Sequence, residues 1–186
     1  MAISPEMREF IRRLADYRCE YCGVSEIDTG SELTIDHFRP TIHGGTDEPA
    51  NLLYSCAKCN QYKADFWPNA EDIAAGRQLI HPRQEELAAH LVQAAGGTLR
   101  GLTSRGQFHI ERIRLNRPQL VAYRQRKQIN VITYRQMNRL KETLRLCYDE
   151  LFTTLTQANQ QESLQVQLKA VQLTILRLLL ELGGSS

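Results

Sequence analysis

Four of the five cysteines fall in two CxxC pairs, Cys19 with Cys22 and Cys56 with Cys59, and 33 residues lie between the pairs. Two such pairs present four thiolates from two short knuckles, the spacing of a tetrahedral zinc site. A chain pinned in this way must bring residues 19–22 and 56–59 to one point, so residues 23–55 have to close into a loop of turns and short elements. Four thiolates also complete the coordination sphere and leave no open position for substrate, so the zinc is expected to hold the fold and not to react. Cys147 stands alone in a helical pattern and reads as a small apolar packing residue. Thiols paired as metal ligands and not as disulfides fit a reducing compartment. Met1 to Phe10 carry charges in place of an apolar signal core, and no long uncharged apolar run follows, so we expect a cytoplasmic protein without a membrane span.

With 186 residues, 42% hydrophobic and 24% charged, the chain has room for one compact domain or a small domain with a helical extension, and a large multidomain enzyme is excluded. Its charge is unevenly placed. Residues 100–146 hold 12 Lys and Arg against Glu111 and Glu142, a local +10 in a chain of +2, so the remainder carries −8. A basic segment of this size is the footprint of a polyanion partner, nucleic acid above all.

Ser4-Pro5-Glu6 is a helix start, and Met7, Phe10, Ile11, Leu14 and Ala15 form one apolar face of a helix ending near Tyr17. Leu33-Thr34-Ile35 and Leu52-Leu53-Tyr54 suit short strands, with Gly44-Gly45 in the loop between them. A helix is expected over roughly 85–95, stopped by Gly96-Gly97, then a short strand over 98–103. Asn116-Arg117-Pro118 reads as the cap of a long helix reaching about Thr156. A further helix over 163–182 is apolar nearly all round, which calls for deep burial or a partner, so we expect it to pack as an antiparallel hairpin and to form an oligomer or hetero-complex interface. The resulting fold class is α+β, mostly helical, divided into a zinc-braced core over 1–67, a mixed connecting region over 68–116 and a helical extension over 117–186.

Inside the zinc loop lies Ile35-Asp36-His37-Phe38-Arg39-Pro40. Asp36 and His37 are neighbours at the end of a short strand and so point to opposite sides and serve two roles. Asn60 follows the last cysteine, and if residues 59–63 begin a helix, Asn60 and Lys63 share a face. Asp36 and Asn60 then offer a sparse oxygen pair suited to Mg²⁺ or Mn²⁺, beside which His37 could take a proton from water. Lys63 and Arg39 are candidates for phosphate contacts, as are Arg112, Arg114 and Arg117 in the basic segment. Trp67 reads as a core anchor, and His43, His81, His90 and His109 as structural or exposed.

The run Ile35-Asp-His-Phe-Arg-Pro, Gly44-Gly45, Asn51-Leu-Leu, Cys56-Ala-Lys-Cys-Asn60 and Lys63 resembles the HNH endonucleases. The resemblance implies a ββα-metal fold braced by a four-cysteine zinc, with His37 as general base, Asp36 and Asn60 on the catalytic metal, and Asn51 tying down the loop that orients His37. Asp and Asn stand where the family's name has its first and last letters, and both keep metal-binding oxygens. More loosely, Leu79-Ile-His-Pro-Arg83 and Leu115-Asn-Arg-Pro-Gln-Leu-Val121 with Arg124 look like segments of HNH subunits of bacterial defence systems of the Septu type, which pair such a nuclease with an ATPase. The implied activity is hydrolysis of phosphodiesters in nucleic acid, DNA in the first instance; the rival is a zinc-braced binding module without activity.

Overall fold

The computed structural model describes residues 3–157 and 162–183. They fall in two compact units, Met1–Arg126 and Lys127–Ser186. The first unit opens with α1, Pro5–Leu14, whose N-cap Ser4 accepts from the Met7 N–H and whose Ile11 is fully buried. A short helix, α2 (Glu26–Thr29), is closed by a capping box between Ser25 and Asp28. Strands β1 (Thr34–His37) and β2 (Leu52–Ser55) pair antiparallel, with Thr34 opposite Ser55 and His37 opposite Leu52. Helix α3, Ala57–Lys63, follows β2 directly. The apolar runs at Leu33 and Leu52 thus form strands where their pattern predicts them. β2 is buried along its whole length and packs against α1.

The segment over 85–95 is not a helix. Leu87–Ala89 make a single 3₁₀ turn, and β3 (Leu91–Gln93) pairs antiparallel with β4 (Leu99–Gly101). Helical preference of the alanines is a weak local bias, and here long-range bonds outweigh it. The Asn116 amide accepts from the Leu99 N–H at 2.7 Å and donates to the Leu99 carbonyl at 2.7 Å. Asn116 therefore clamps β4 and does not cap the following helix. Gly97 closes the turn at φ 77°, and a Cβ there would lie 2.7 Å from the Val121 carbonyl oxygen. Two further helices complete the unit: α4 (Ala70–Ala74), after Pro68, and α5 (Ser104–Arg112), capped by Thr103.

Helix α6 runs Pro118–Gln157 and α7 Glu162–Gly183. The first turns of α6 belong to the first unit, where Leu120 and Tyr123 are buried. Beyond them the described side chains are mostly exposed, among them Ile129, Ile132, Tyr134, Leu146 and Phe152 of α6 and Val166, Leu173, Leu178 and Leu180 of α7. The hairpin expected to bury one side of these helices has its turn outside the described residues, and the described apolar side chains are not buried by it. Cys147 is likewise exposed and packs in no core. No described helix is long and apolar enough to cross a membrane.

Candidate active site

The four cysteines come together as their spacing requires. Their sulfurs all lie within 4.8 Å of one another, and Cys22 Sγ stands 3.8 Å from Cys56 Sγ. A tetrahedron of Zn–S bonds about 2.3 Å long has edges of about 3.8 Å, so the donor set fits zinc in both chemistry and size. In the first knuckle, Gly23 takes φ 77° so that its N–H reaches the Cys19 carbonyl at 2.7 Å. In the second, Cys56 is the N-cap of α3 and Cys59 lies in its first turn. Crowding holds the Cys56 thiol low through its hydrogen bond with Cys19 and pushes Cys59 up, the pattern of thiols that cannot all ionise until a cation joins them. Among the described residues this is the one grouping of three or more Cys, His, Asp or Glu able to hold a metal ion.

His37 ends β1, one-quarter exposed, and its Nε2 stands 2.6 Å from Asp47 Oδ1. A carboxylate only accepts, so Nε2 carries a hydrogen toward Asp47, and in the neutral ring the lone pair then lies on Nδ1. Nδ1 makes no hydrogen bond among the described residues. Asn51 shapes this loop. Its side-chain oxygen accepts from the Arg39 N–H at 2.8 Å, and its amide donates to the carbonyls of Arg39 and Thr46 at 3.1 and 2.8 Å. Residues 39–46 are thereby tied to the start of β2, and Asp47, the next residue, is delivered to the imidazole. Nothing in the sequence marked Asp47, because an acid in Thr-Asp-Glu-Pro reads as an ordinary turn residue.

Asp36 sits on the other face of β1 and is 5% exposed. It accepts from the Tyr21 hydroxyl at 2.6 Å and from Lys63 Nζ at 3.0 Å. Burial raises its carboxyl above the usual range even with the Lys63 ammonium opposing. Lys63 is 1% exposed and also donates to the His37 carbonyl at 2.5 Å. It is therefore not a phosphate contact but the internal counter-ion of Asp36. Asn60 faces the same side of β1, with its amide 3.3 Å from the Thr34 hydroxyl. Asp36 and Asn60 do not form a pair of open oxygens for Mg²⁺ or Mn²⁺ here, because both Asp36 oxygens are taken up, one by Tyr21 and the other by the Lys63 ammonium.

The basic residues divide in the same way. Arg39 is exposed, bonds the His43 carbonyl at 2.6 Å and lies 5.4 Å over the Trp67 ring. Arg114 is exposed, 4.7 Å over the Tyr62 ring. Arg112 and Arg117 face inward: Arg112 donates to the Lys63 carbonyl at 2.9 Å and covers the Phe66 ring, while Arg117 points Nη2 at Cys59 Sγ, 3.4 Å away, and at Cys56 Sγ, 3.8 Å away. Those two serve the end of α3 and the zinc sulfurs, so the expectation that they grip nucleic acid is corrected. Arg83 is a clamp the sequence did not single out as one: it pairs with both oxygens of Glu20 at 2.5 and 2.7 Å and donates to the carbonyls of Pro49 and Leu52. Arg124, also buried, donates to the carbonyls of Gly97 and Leu115.

The other histidines are structural or peripheral. His81 Nδ1 accepts from the Arg83 N–H, and its Nε2 faces the Ala50 carbonyl. Buried His109 accepts from the Ile80 N–H, and desolvation lowers it to about 4. His43 lies 3.1 Å from the Asp65 carbonyl and His90 2.9 Å from the Thr103 hydroxyl.

Residues 19–66 match the model of the family described as HNH endonuclease. The chain is also 25% identical over 145 residues to Septu protein PtuA of Bacillus mycoides (strain KBAB4). That alignment covers 63% of this chain and 20% of the relative, so the chain spans about a fifth of the length of the curated protein it matches. No solved structure matches.

Proposed function

From an HNH endonuclease domain at residues 19–66, we propose that the chain hydrolyses phosphodiester bonds of nucleic acid, DNA in the first instance, as the nuclease component of a bacterial anti-phage defence assembly. The observation that carries this reading is the His37 imidazole, with Nε2 on Asp47 and Nδ1 without a hydrogen-bond partner among the described residues, in a loop stapled by Asn51.

In the proposed reaction Nδ1 of His37 removes a proton from water, the resulting hydroxide attacks phosphorus in line, and the bond from phosphorus to the 3′ oxygen breaks. The imidazolium so formed is stabilised by the Asp47 carboxylate on its far nitrogen. The departing oxygen takes its proton from solvent, giving 5′-phosphate and 3′-hydroxyl ends. Exposed Arg39 and Arg114 supply positive charge to the phosphate backbone, which positions a strand without reading its sequence. Many apolar side chains of α6 and α7 are exposed, and they serve as the interface to a second copy or to another subunit of the assembly, an ATPase if the arrangement follows Septu-type systems.

The test is cleavage of plasmid and single-stranded DNA by the full chain, with and without its co-purifying partners, across divalent ions. His37→Ala is expected to lower the rate by about 10² to 10⁴ without changing DNA affinity. Asp47→Asn is expected to lower kcat more than it raises KM. Equal activity of wild type and His37→Ala would remove the nuclease reading. It would then favour the binding module, a reading that the Lys63 ammonium on Asp36 already supports.

A further inference from the structure

Immediately after His37 the chain enters the wall of a cavity of about 220 Å³ that the proposed reaction leaves without a role. Its walls are aromatic: Phe38, Phe66 and Trp67, with Phe38 meeting Trp67 edge-on at 6.1 Å and 89°. Its polar lining is Gln78, His81, Gln84, Glu85 and Arg105, of which Glu85 pairs with Arg105 and His81 faces the Ala50 carbonyl. The side chains of Gln78 and Gln84 make no hydrogen bond among the described residues. The Nε–H of Arg105 is buried and unpaired, although the rest of that guanidinium is held by Glu85 and the Leu79 carbonyl. Apolar walls with a few convergent donors and acceptors are the profile of a ligand site. The volume is below the roughly 300–1,000 Å³ of sites for drug-sized ligands, and suits one planar ring system.

Two features identify which ring system. Phe38 follows His37 directly at the end of β1, so the cavity wall and the residue carrying the base belong to one backbone segment. Trp67 carries the Arg39 guanidinium over its ring, which puts a fixed cation beside the cavity, where an anion attached to the ring would lie. A planar, hydrogen-bonding ring joined to a phosphate is a nucleotide. We propose that this cavity receives one unstacked nucleobase of the substrate strand, held by the aromatic walls and by the free amides of Gln78 and Gln84, so that the substrate is single-stranded or unpaired where it meets the site. The inference rests on the nuclease reading for its choice of ligand, and its test is separable from that reading.

Trp67 is the chain's one tryptophan, so its emission reports on the cavity alone. Full-length His37→Ala protein is titrated with a short labelled single strand, an abasic strand of equal length and a fully paired duplex, following strand anisotropy and Trp67 emission together. The single strand is expected to quench Trp67 and to bind on the order of tenfold more tightly than the abasic strand, since stacking of a base on aromatic side chains is sequence-tolerant and strong. The duplex is expected to leave the emission unchanged. Ile73→Glu at the exposed rim, and Gln84→Ala, are expected to weaken single-strand binding to the abasic level while leaving the melting temperature unchanged.

Equal affinity for abasic and normal strands, a bound strand that leaves Trp67 silent, quenching by the intact duplex, or no strand binding at all would each overturn the pocket. If wild-type protein cleaves DNA while Trp67 stays silent, the pocket falls and the nuclease stands. If Trp67 responds to the single strand but wild type cleaves nothing, the nuclease reading falls and the pocket stands.

Discussion

Up to Arg126 many of the cations of this protein are built into it, with Arg39 and Arg114 among those left at the surface, whereas beyond Lys127 they lie on the surface of two long helices. Arg83 holds Glu20, Arg105 holds Glu85, Lys63 holds Asp36, and Arg112, Arg117 and Arg124 bond backbone carbonyls or zinc-site sulfurs. Arg135, Arg139 and Arg145 are exposed and make no ion pair among the described residues. A linear charge count over 100–146 adds these two populations together. The difference shows that a basic segment can be half scaffold, and that burial decides which half meets a polyanion.

The comparison breaks most visibly if metal is removed. Chelation is expected to unfold the first unit, because structural zinc supplies about 10–16 kcal/mol in small zinc-bound folds. The helical signal of 127–183 should outlast it, since those helices satisfy their own backbone. Circular dichroism with an absorbance assay for released zinc checks this, and full retention of near-ultraviolet signal after zinc loss would contradict it.

Next in size is Arg83→Ala. Glu20 is almost buried, so removing Arg83 leaves its carboxylate with the Tyr54 N–H but without an opposing charge, at an expected cost of about 3–5 kcal/mol, read by urea unfolding. A third outcome concerns pH. His109 falls from its ordinary 6.5 to about 4 because burial penalises the imidazolium. The folded state therefore binds this proton less well than the unfolded chain. Stability is complete above pH 6.5 and declines as pH falls toward 4, by about 3 kcal/mol in all. His109→Asn, whose amide oxygen can still accept from Ile80, should flatten the profile in that window. Smallest is Arg135→Ala, expected to change stability by less than about 0.5 kcal/mol while weakening DNA binding at low salt; an unfolding shift as large as that of Arg83→Ala would erase the distinction between the two units.

What the sequence disclosed follows from the reach of each signal. The cysteine pairs announced the zinc cluster because metal ligation fixes spacing locally, and the runs at Leu33 and Leu52 announced their strands because pattern and turn residues coincide. The helix read over 85–95 failed because Asn116 and Val121, more than 20 residues downstream, decide that backbone. Asp47 went unmarked since its importance lies in meeting His37 across a loop, a relation composition does not carry. The inward turn of Lys63 and Arg117 was hidden for the same reason: a lysine or arginine looks identical in sequence whether it meets solvent or a buried partner.

One contact bears on how such a protein could be recombined. Arg83 reaches back 63 positions to Glu20, which sits between the first two zinc cysteines, and on the way it satisfies the carbonyls of Pro49 and Leu52. The family-sized stretch 19–66 is thus not a portable cassette. Grafted alone into another host protein, it would leave the Glu20 carboxylate with the Tyr54 N–H but no opposing charge, and the compact unit that carries Arg83 with it extends to Arg126.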